Sequence, residues 1–246
     1  MAGTETLAAK RFAPAGLLRW RRPLGLAAAA GMAALAVTAL LLVAPDAVQG
    51  PPQRIFYIHV PSAWVGFLAL AVVFVASVRY LVTGDPRHDD LASASAGLGV
   101  LFTTGVLLTG PLWARPVWGA YWVWDPRLTS FFVLWLVYLS YLALRRQVTD
   151  PVRRARYSAV LGVLGFLDVP IVYMSVNWWR GMHPEQVVIT ADGPRMPAAM
   201  LATLLLGLAT FTLFYLYLLA IRLGVAHARR LAWAVDAAAA DMEGTR

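Results

Sequence analysis

Six stretches of mostly apolar residues dominate this chain, at roughly 24–44, 61–82, 91–111, 128–144, 158–177 and 197–221. Each is long enough for an α-helix to cross the hydrocarbon core of a bilayer, which takes about 20 residues. The expected fold class is an all-α integral membrane protein, a six-transmembrane-helix bundle. Composition agrees: 60% of the 246 residues are hydrophobic, 14% are charged, and the mean hydropathy is +0.64. These values exclude a water-soluble enzyme. The first stretch follows basic residues as a signal peptide would, but its apolar run is long and no clean small-x-small site follows it. It is expected to be a retained anchor.

The net charge of +8 does not point to nucleic acid, because Lys and Arg fall in short runs between the spans rather than on one face. Their distribution instead orients the bundle. Sixteen of the twenty-one lie in the N-terminal tail (including Lys10 and Arg11), the second and fourth connections and the C-terminal tail. The other five are Arg54, Arg115, Arg127, Arg180 and Arg195. By the positive-inside rule both termini are expected in the cytoplasm, with connections one, three and five facing outward. The expected organisation is a cytoplasmic tail over 1–23, a membrane domain over 24–222 with a Trp-rich loop at about 112–127, and a cytoplasmic tail over 223–246.

The outer connections are chemically unusual. Of ten Trp, six sit in or beside them: Trp113, Trp118, Trp122, Trp124, Trp178 and Trp179. Interfacial anchoring is the plain explanation for any one of these. Four of them within twelve positions exceed what anchoring a short loop needs. Trp118 and Trp122 are four apart, so in a helical loop they would share a face and offer a flat aromatic surface. Asp125 and Pro126 follow, a favoured N-cap and a favoured first helical residue for the fourth span. Asp125 is therefore read as a cap, a role compatible with contacting a ligand.

The four histidines divide by side. His88 and His227 fall in cytoplasmic segments, whereas His59 precedes the second span and His183 lies in the fifth connection. Two neutral imidazoles on opposite faces of a macrocycle make a bis-His haem site, which needs no Cys, and this chain has none. At a helix start the positive end of the dipole disfavours imidazolium and leaves a lone pair on His59 for a metal. Arg54, Arg115, Arg127 and Arg180 are candidates to pair with the propionates, or alternatively anchors to lipid headgroups.

Other readings stay open. Zinc would want further ligands, and Asp46, Asp125, Glu185 and Asp192 show no zinc-binding spacing to either His. Met182 and Met196 are possible axial ligands or apolar filler. Asp168, next to Pro170, is an intramembrane carboxylate: a functional group, or a polar group satisfying a kink. A small-molecule permease subunit of an ABC-type transporter would use Asp168, Thr103, Thr104 and Thr109 along a path. A purely structural subunit would use the Trp residues as anchors alone.

The run Trp118-Gly119-Ala120-Tyr121-Trp122-Val123-Trp124-Asp125, continuing Pro126-Arg127-Leu128-Thr129-Ser130, resembles the tryptophan-rich WWD signature of haem-handling membrane proteins. Ile58-His59-Val60-Pro61 before span two, and Pro170 to Trp178-Trp179 and His183 after span five, resemble the CcmC family of cytochrome c maturation within that group. The larger members, CcmF and the CcsA-type synthases, are longer and carry an additional intramembrane His, which this chain lacks. The resemblance implies haem b, held without a covalent bond, with His59 and His183 as axial ligands on the periplasmic side of a bacterial inner membrane. Trp113, Trp118, Trp122, Trp124, Asp125 and Arg127 would form the surrounding platform. It also implies partners: the haem chaperone CcmE, the small protein CcmD, and the ABC transporter pair CcmA and CcmB.

Overall fold

The structure is a computed structural model that describes residues 19–183, 187–188 and 193–244. Lys10, Arg11, Glu185 and Asp192 lie outside the described residues. Among the described residues seven α-helices form six spans: α1 (Arg21–Val37), α2 (Phe56–Thr83), α3 (Pro86–Trp118), α4 (Pro126–Gln147), α5 (Pro151–Phe166), α6 (Asp168–Trp178) and α7 (Ala198–Gly244). A π-helical turn over Thr38–Leu42 extends α1, and a 3-10 turn over Pro51–Ile55 leads into α2. The six apolar crossings run Arg21–Leu42, Pro51–Thr83, Pro86–Trp118, Pro126–Gln147, Pro151–Trp178 and Ala198–Ala232. The protein is thus a six-span, all-α, multi-pass membrane protein.

Three of the helices start the same way. Asp85, Asp125 and Asp150 each accept a backbone N–H from the following turn, at 2.9, 2.8 and 2.6 Å, and each is followed by Pro in the first turn. The carboxylate satisfies an orphan amide, and Pro supplies a φ suited to the helix without a donor to waste. Backbone and side-chain hydrogen bonds from Arg87 hold the Asp85 carboxyl below its usual range. The fifth span breaks at Leu167, whose N–H donates to Leu164 O at 3.1 Å, so Asp168 opens α6 as a separate segment. Asp168 Oδ2 is buried with no hydrogen-bond partner among the described residues, so the carboxylate does not satisfy the polar groups of the kink as the sequence suggested.

The helices are longer than the apolar stretches because their ends are amphipathic rather than apolar. Consequently α3 runs through Trp118, and Trp113 and Arg115 belong to its last turns instead of to the loop expected over 112–127. Likewise α7 continues unbroken past residue 222 through Gly244, so the segment assigned to the C-terminal tail is helical. The 47 residues of α7 at 1.5 Å each span about 70 Å, more than twice a ~30 Å hydrocarbon core.

The core has two parts that meet on α2 and α3. One gathers Leu35, Tyr57, Val65, Phe102, Leu204 and Tyr215 from α1, α2, α3 and α7. The other gathers Leu70, Val73, Phe131, Leu134, Tyr138 and Val172 from α2, α4 and α6, with Ala92, Ala96 and Val106 from α3. In lipid, helices adhere through close packing and hydrogen bonds rather than the hydrophobic effect, and small residues permit it. A methyl added at Gly99 would come within 2.7 Å of Leu70 Cδ2, and one at Gly66 within 3.0 Å of Thr103 Cγ2. Ser95 Oγ donates to Ala69 O at 2.8 Å and accepts from Tyr215 Oη at 2.8 Å, tying α2, α3 and α7 together. At one end of the bundle, Arg145 of α4 grips Asp89 of α3 (Nη2–Oδ2 2.8 Å), and Arg230 of α7 pairs with Asp90 at 2.6 Å. The histidines of interest lie at the opposite end.

Candidate functional site

The up-and-down course of the chain brings the start of α2, the end of α3, the start of α4 and the end of α6 to a single end of the bundle. His59 is the fourth residue of α2, partly buried against α3. Its Nδ1 lies 2.9 Å from Thr109 Oγ1, and its ring meets Trp113 edge-on at a centroid distance of 5.7 Å. Trp113 is held in turn: its Nε1 donates to Gln49 Oε1 at 2.8 Å, and its ring contacts Phe56 at 6.0 Å.

His183 reaches the same region from the connection after α6. Its ring contacts Trp118 edge-on at 6.3 Å. Its backbone N–H donates to Asp125 Oδ2 at 3.2 Å, while Asp125 Oδ1 accepts the N–H of Leu128 at 2.8 Å and caps α4. Asp125 is 7% exposed, so these are contacts of a buried carboxylate and not of a surface one. Gly181 permits them, because a methyl there would come within 3.1 Å of Asp125 Oδ2. A narrow crevice, too tight to admit a water molecule, lies between Asp125, Arg127, Ser175, Trp179 and His183. His59 and His183, distant in sequence, thus each meet a Trp of the last turns of α3, Trp113 and Trp118 respectively.

The tryptophans divide differently from the sequence expectation. Gly119 takes the left-handed conformation (φ 77°) that ends α3, and residues 120–125 are not helical. Trp118 and Trp122 therefore do not share a helix face: a residue without a Cβ adopts this turn freely, and it reverses the chain between them. Trp118 faces His183, whereas Trp122 packs on Trp124 at 5.5 Å, and both rest on Phe132 of α4 at 6.2 and 6.4 Å. Phe132 stacks on Trp135 at 5.9 Å, extending the aromatic shelf along α4. Trp124 is 73% exposed, which leaves one of its faces open. Trp178 and Trp179 are also exposed and contact one another at 5.6 Å.

Cationic and polar donors surround this arrangement. Arg115 is used locally: its Nη1 donates to Gly119 O at 2.8 Å and its guanidinium lies 5.7 Å from the Tyr121 ring centroid. Arg54 Nε, Gln53 Nε2 and Trp122 Nε1 are buried without a hydrogen-bond partner among the described residues. Such donors are costly unless a ligand or water meets them. The hydroxyls proposed for a permeation path are otherwise engaged. Thr103 donates to Gly99 O, and Thr104 donates to Val100 O and accepts from Trp135 Nε1, each bond 2.7 to 2.8 Å.

Sequence reasoning named Thr109 only for a permeation path, and missed Gly110, Gln49, Phe132 and Gly181. Thr109 and Trp113 are four apart, and that spacing would have marked one helical face toward His59 had α3 been extended through its Pro111 and Pro116. Nothing local marks Gly181 or Gln49, whose partners come from other connections.

Comparison with known proteins bears on the same residues. The family model described as CcmC, Heme exporter protein C, matches residues 6–236. Heme exporter protein C of Bradyrhizobium diazoefficiens is 42% identical over 177 residues, covering 72% of this chain and 67% of that protein. Heme exporter protein C of Paracoccus denitrificans is 37% identical over 197 residues, covering 78% and 82%. A ccmC-like mitochondrial protein of cytochrome c biosynthesis from Marchantia polymorpha is 35% identical over 181 residues, covering 73% and 76%.

Proposed function

Since this chain belongs to the CcmC family of haem exporter proteins, we propose that it binds haem b as cargo between His59 and His183 and delivers it to the chaperone CcmE. Its role in haem handling for cytochrome c biogenesis follows from the family. The axial ligands, the Trp platform, the periplasmic side of the inner membrane, and CcmD, CcmA and CcmB as partners belong to the proposal. The observation that carries it is the convergence of His59 and His183 on the last turns of α3, each edge-on to a Trp, Trp113 and Trp118.

The donor set suits the cargo. Two imidazoles supply nitrogen ligands for iron, and Arg127 together with the unpartnered donors of Arg54 and Gln53 suits propionates. Trp118 beside His183 and the Trp122–Trp124–Phe132 shelf offer aromatic surface for a flat apolar ring. Enclosed small-molecule sites usually measure about 300–1,000 Å³. The crevice beside His183 is too narrow to admit even a water molecule, so the reading is of a macrocycle lying against the rim of the bundle with one edge open rather than enclosed in it. An open edge is what hand-over to a second protein requires. The chain's own work is then to bind, orient and shield, with no side chain acting as nucleophile.

The test is spectroscopic. The purified wild-type protein is expected to show a Soret band typical of bis-His haem. His59→Ala combined with His183→Ala should abolish it while the six-span fold, followed by circular dichroism, persists. A normal Soret band in the double variant would refute this ligand assignment.

A further inference from the structure

We infer that Thr109 is a positioning residue that fixes the proton of the His59 ring on Nδ1 and leaves the Nε2 lone pair as the one available for coordination. The inference rests on the reading of His59 as an axial ligand and extends it to the helix behind that ligand. A threonine hydroxyl has one proton to donate and lone pairs to accept with. Thr109 Oγ1 donates that proton to Gly105 O, one turn back on α3, at 2.8 Å, with a longer approach to Val106 O at 3.5 Å. Its proton being committed, the oxygen meets His59 Nδ1 at 2.9 Å as an acceptor, so Nδ1 carries the hydrogen. In a neutral imidazole the other nitrogen is then bare. No described residue hydrogen-bonds to Nε2.

The same stretch of α3 also fixes the ring plane. Gly110 leaves room for it, since a methyl there would come within 3.3 Å of His59 Cε1. Trp113, one turn beyond Thr109, closes the far side edge-on. Thus Thr109, Gly110 and Trp113 supply what a metal-binding histidine commonly needs from the residues behind it: an acceptor for the remote N–H and a rigid wall. The carbonyl of Gly105 completes the chain of donors and acceptors, so the Thr109 hydroxyl proton is paired.

The experiment compares the full-length wild type with Thr109→Val, which keeps the shape and loses the hydroxyl, and Thr109→Ser, which keeps the hydroxyl. In haem-free protein labelled with ¹⁵N-histidine, the His59 signals are identified by their loss in His59→Asn. Wild type and Thr109→Ser should show a protonated Nδ1 and a bare Nε2, and Thr109→Val should lose that preference. In haem titrations, Thr109→Val should weaken binding about 10- to 100-fold, the range typical of losing such a supporting partner, and Thr109→Ser should restore it. A wild-type His59 protonated on Nε2 would overturn the inference, as would a Thr109→Val protein with wild-type tautomer and affinity. These outcomes are separable from failure of the ligand assignment itself, which would appear as unaltered haem binding in His59→Ala whatever the tautomer.

Discussion

One carboxylate joins two connections that the sequence keeps far apart: Asp125 caps α4 through Oδ1 and holds the backbone of His183 through Oδ2. Losing the cap alone should cost about 1 kcal/mol, as for other N-cap truncations. Asp125→Ala is therefore expected to lower the thermal midpoint in detergent modestly and also to loosen haem. Asp125→Asn separates the two effects. Its amide oxygen can still face Leu128 N–H, but its NH₂ group then opposes the His183 N–H, donor against donor. That variant should retain most of the stability and lose haem affinity, measured by titration beside thermal unfolding. Wild-type affinity in Asp125→Asn would mean that this contact does not hold the His183 segment. The cap was legible because Asp-Pro before an apolar run has a local physical meaning. The second contact was not, because its partner comes from another connection.

Helices α2 and α7 meet closely at a point with little room to relax. Pro61 has no N–H for the carbonyl of Tyr57 one turn back, and Gly207 of α7 packs at that point. A methyl at Gly207 would come within 2.9 Å of Pro61 Cγ and 3.3 Å of Tyr57 O, a ring and a backbone atom that cannot swing aside. Gly207→Leu is expected to destabilise the bundle by roughly 2 kcal/mol, in the range of overpacked cores. It should also shift the start of α2, which carries His59. A variant as stable as wild type, with unchanged haem affinity, would show that α7 can retreat without disturbing α2. Contrast Gly97, where an added methyl would meet only the end of the Arg222 side chain, a group free to move. Gly97→Ala is the control, and it should change neither property.

For the whole molecule, six crossings force the start of α2, the end of α3, the start of α4 and the end of α6 to a common end. The Asp89–Arg145 and Asp90–Arg230 pairs sit at the other. The side of the membrane each end faces is proposed from the bias of Lys and Arg, and the absence of Cys makes it directly measurable. In intact cells, Val48→Cys in connection one, a residue 93% exposed, should react with a membrane-impermeant maleimide. Thr149→Cys, between α4 and α5, should react only after permeabilisation. The reverse pattern would invert the bundle and move the proposed site to the cytoplasm. The sequence by itself determined the number of spans, their helical nature and the caps at Asp125 and Pro126. Apolar length, backbone satisfaction in lipid and N-cap chemistry are local properties, readable within twenty or so residues. Only the tertiary structure decided that Trp118 parts from Trp122 at Gly119, that Trp113 walls His59, that Thr109 meets the His59 ring, and that Asp125 holds the backbone of His183. Those relations join helices remote in the chain, and close packing between helices sets them, which no window along the sequence can encode.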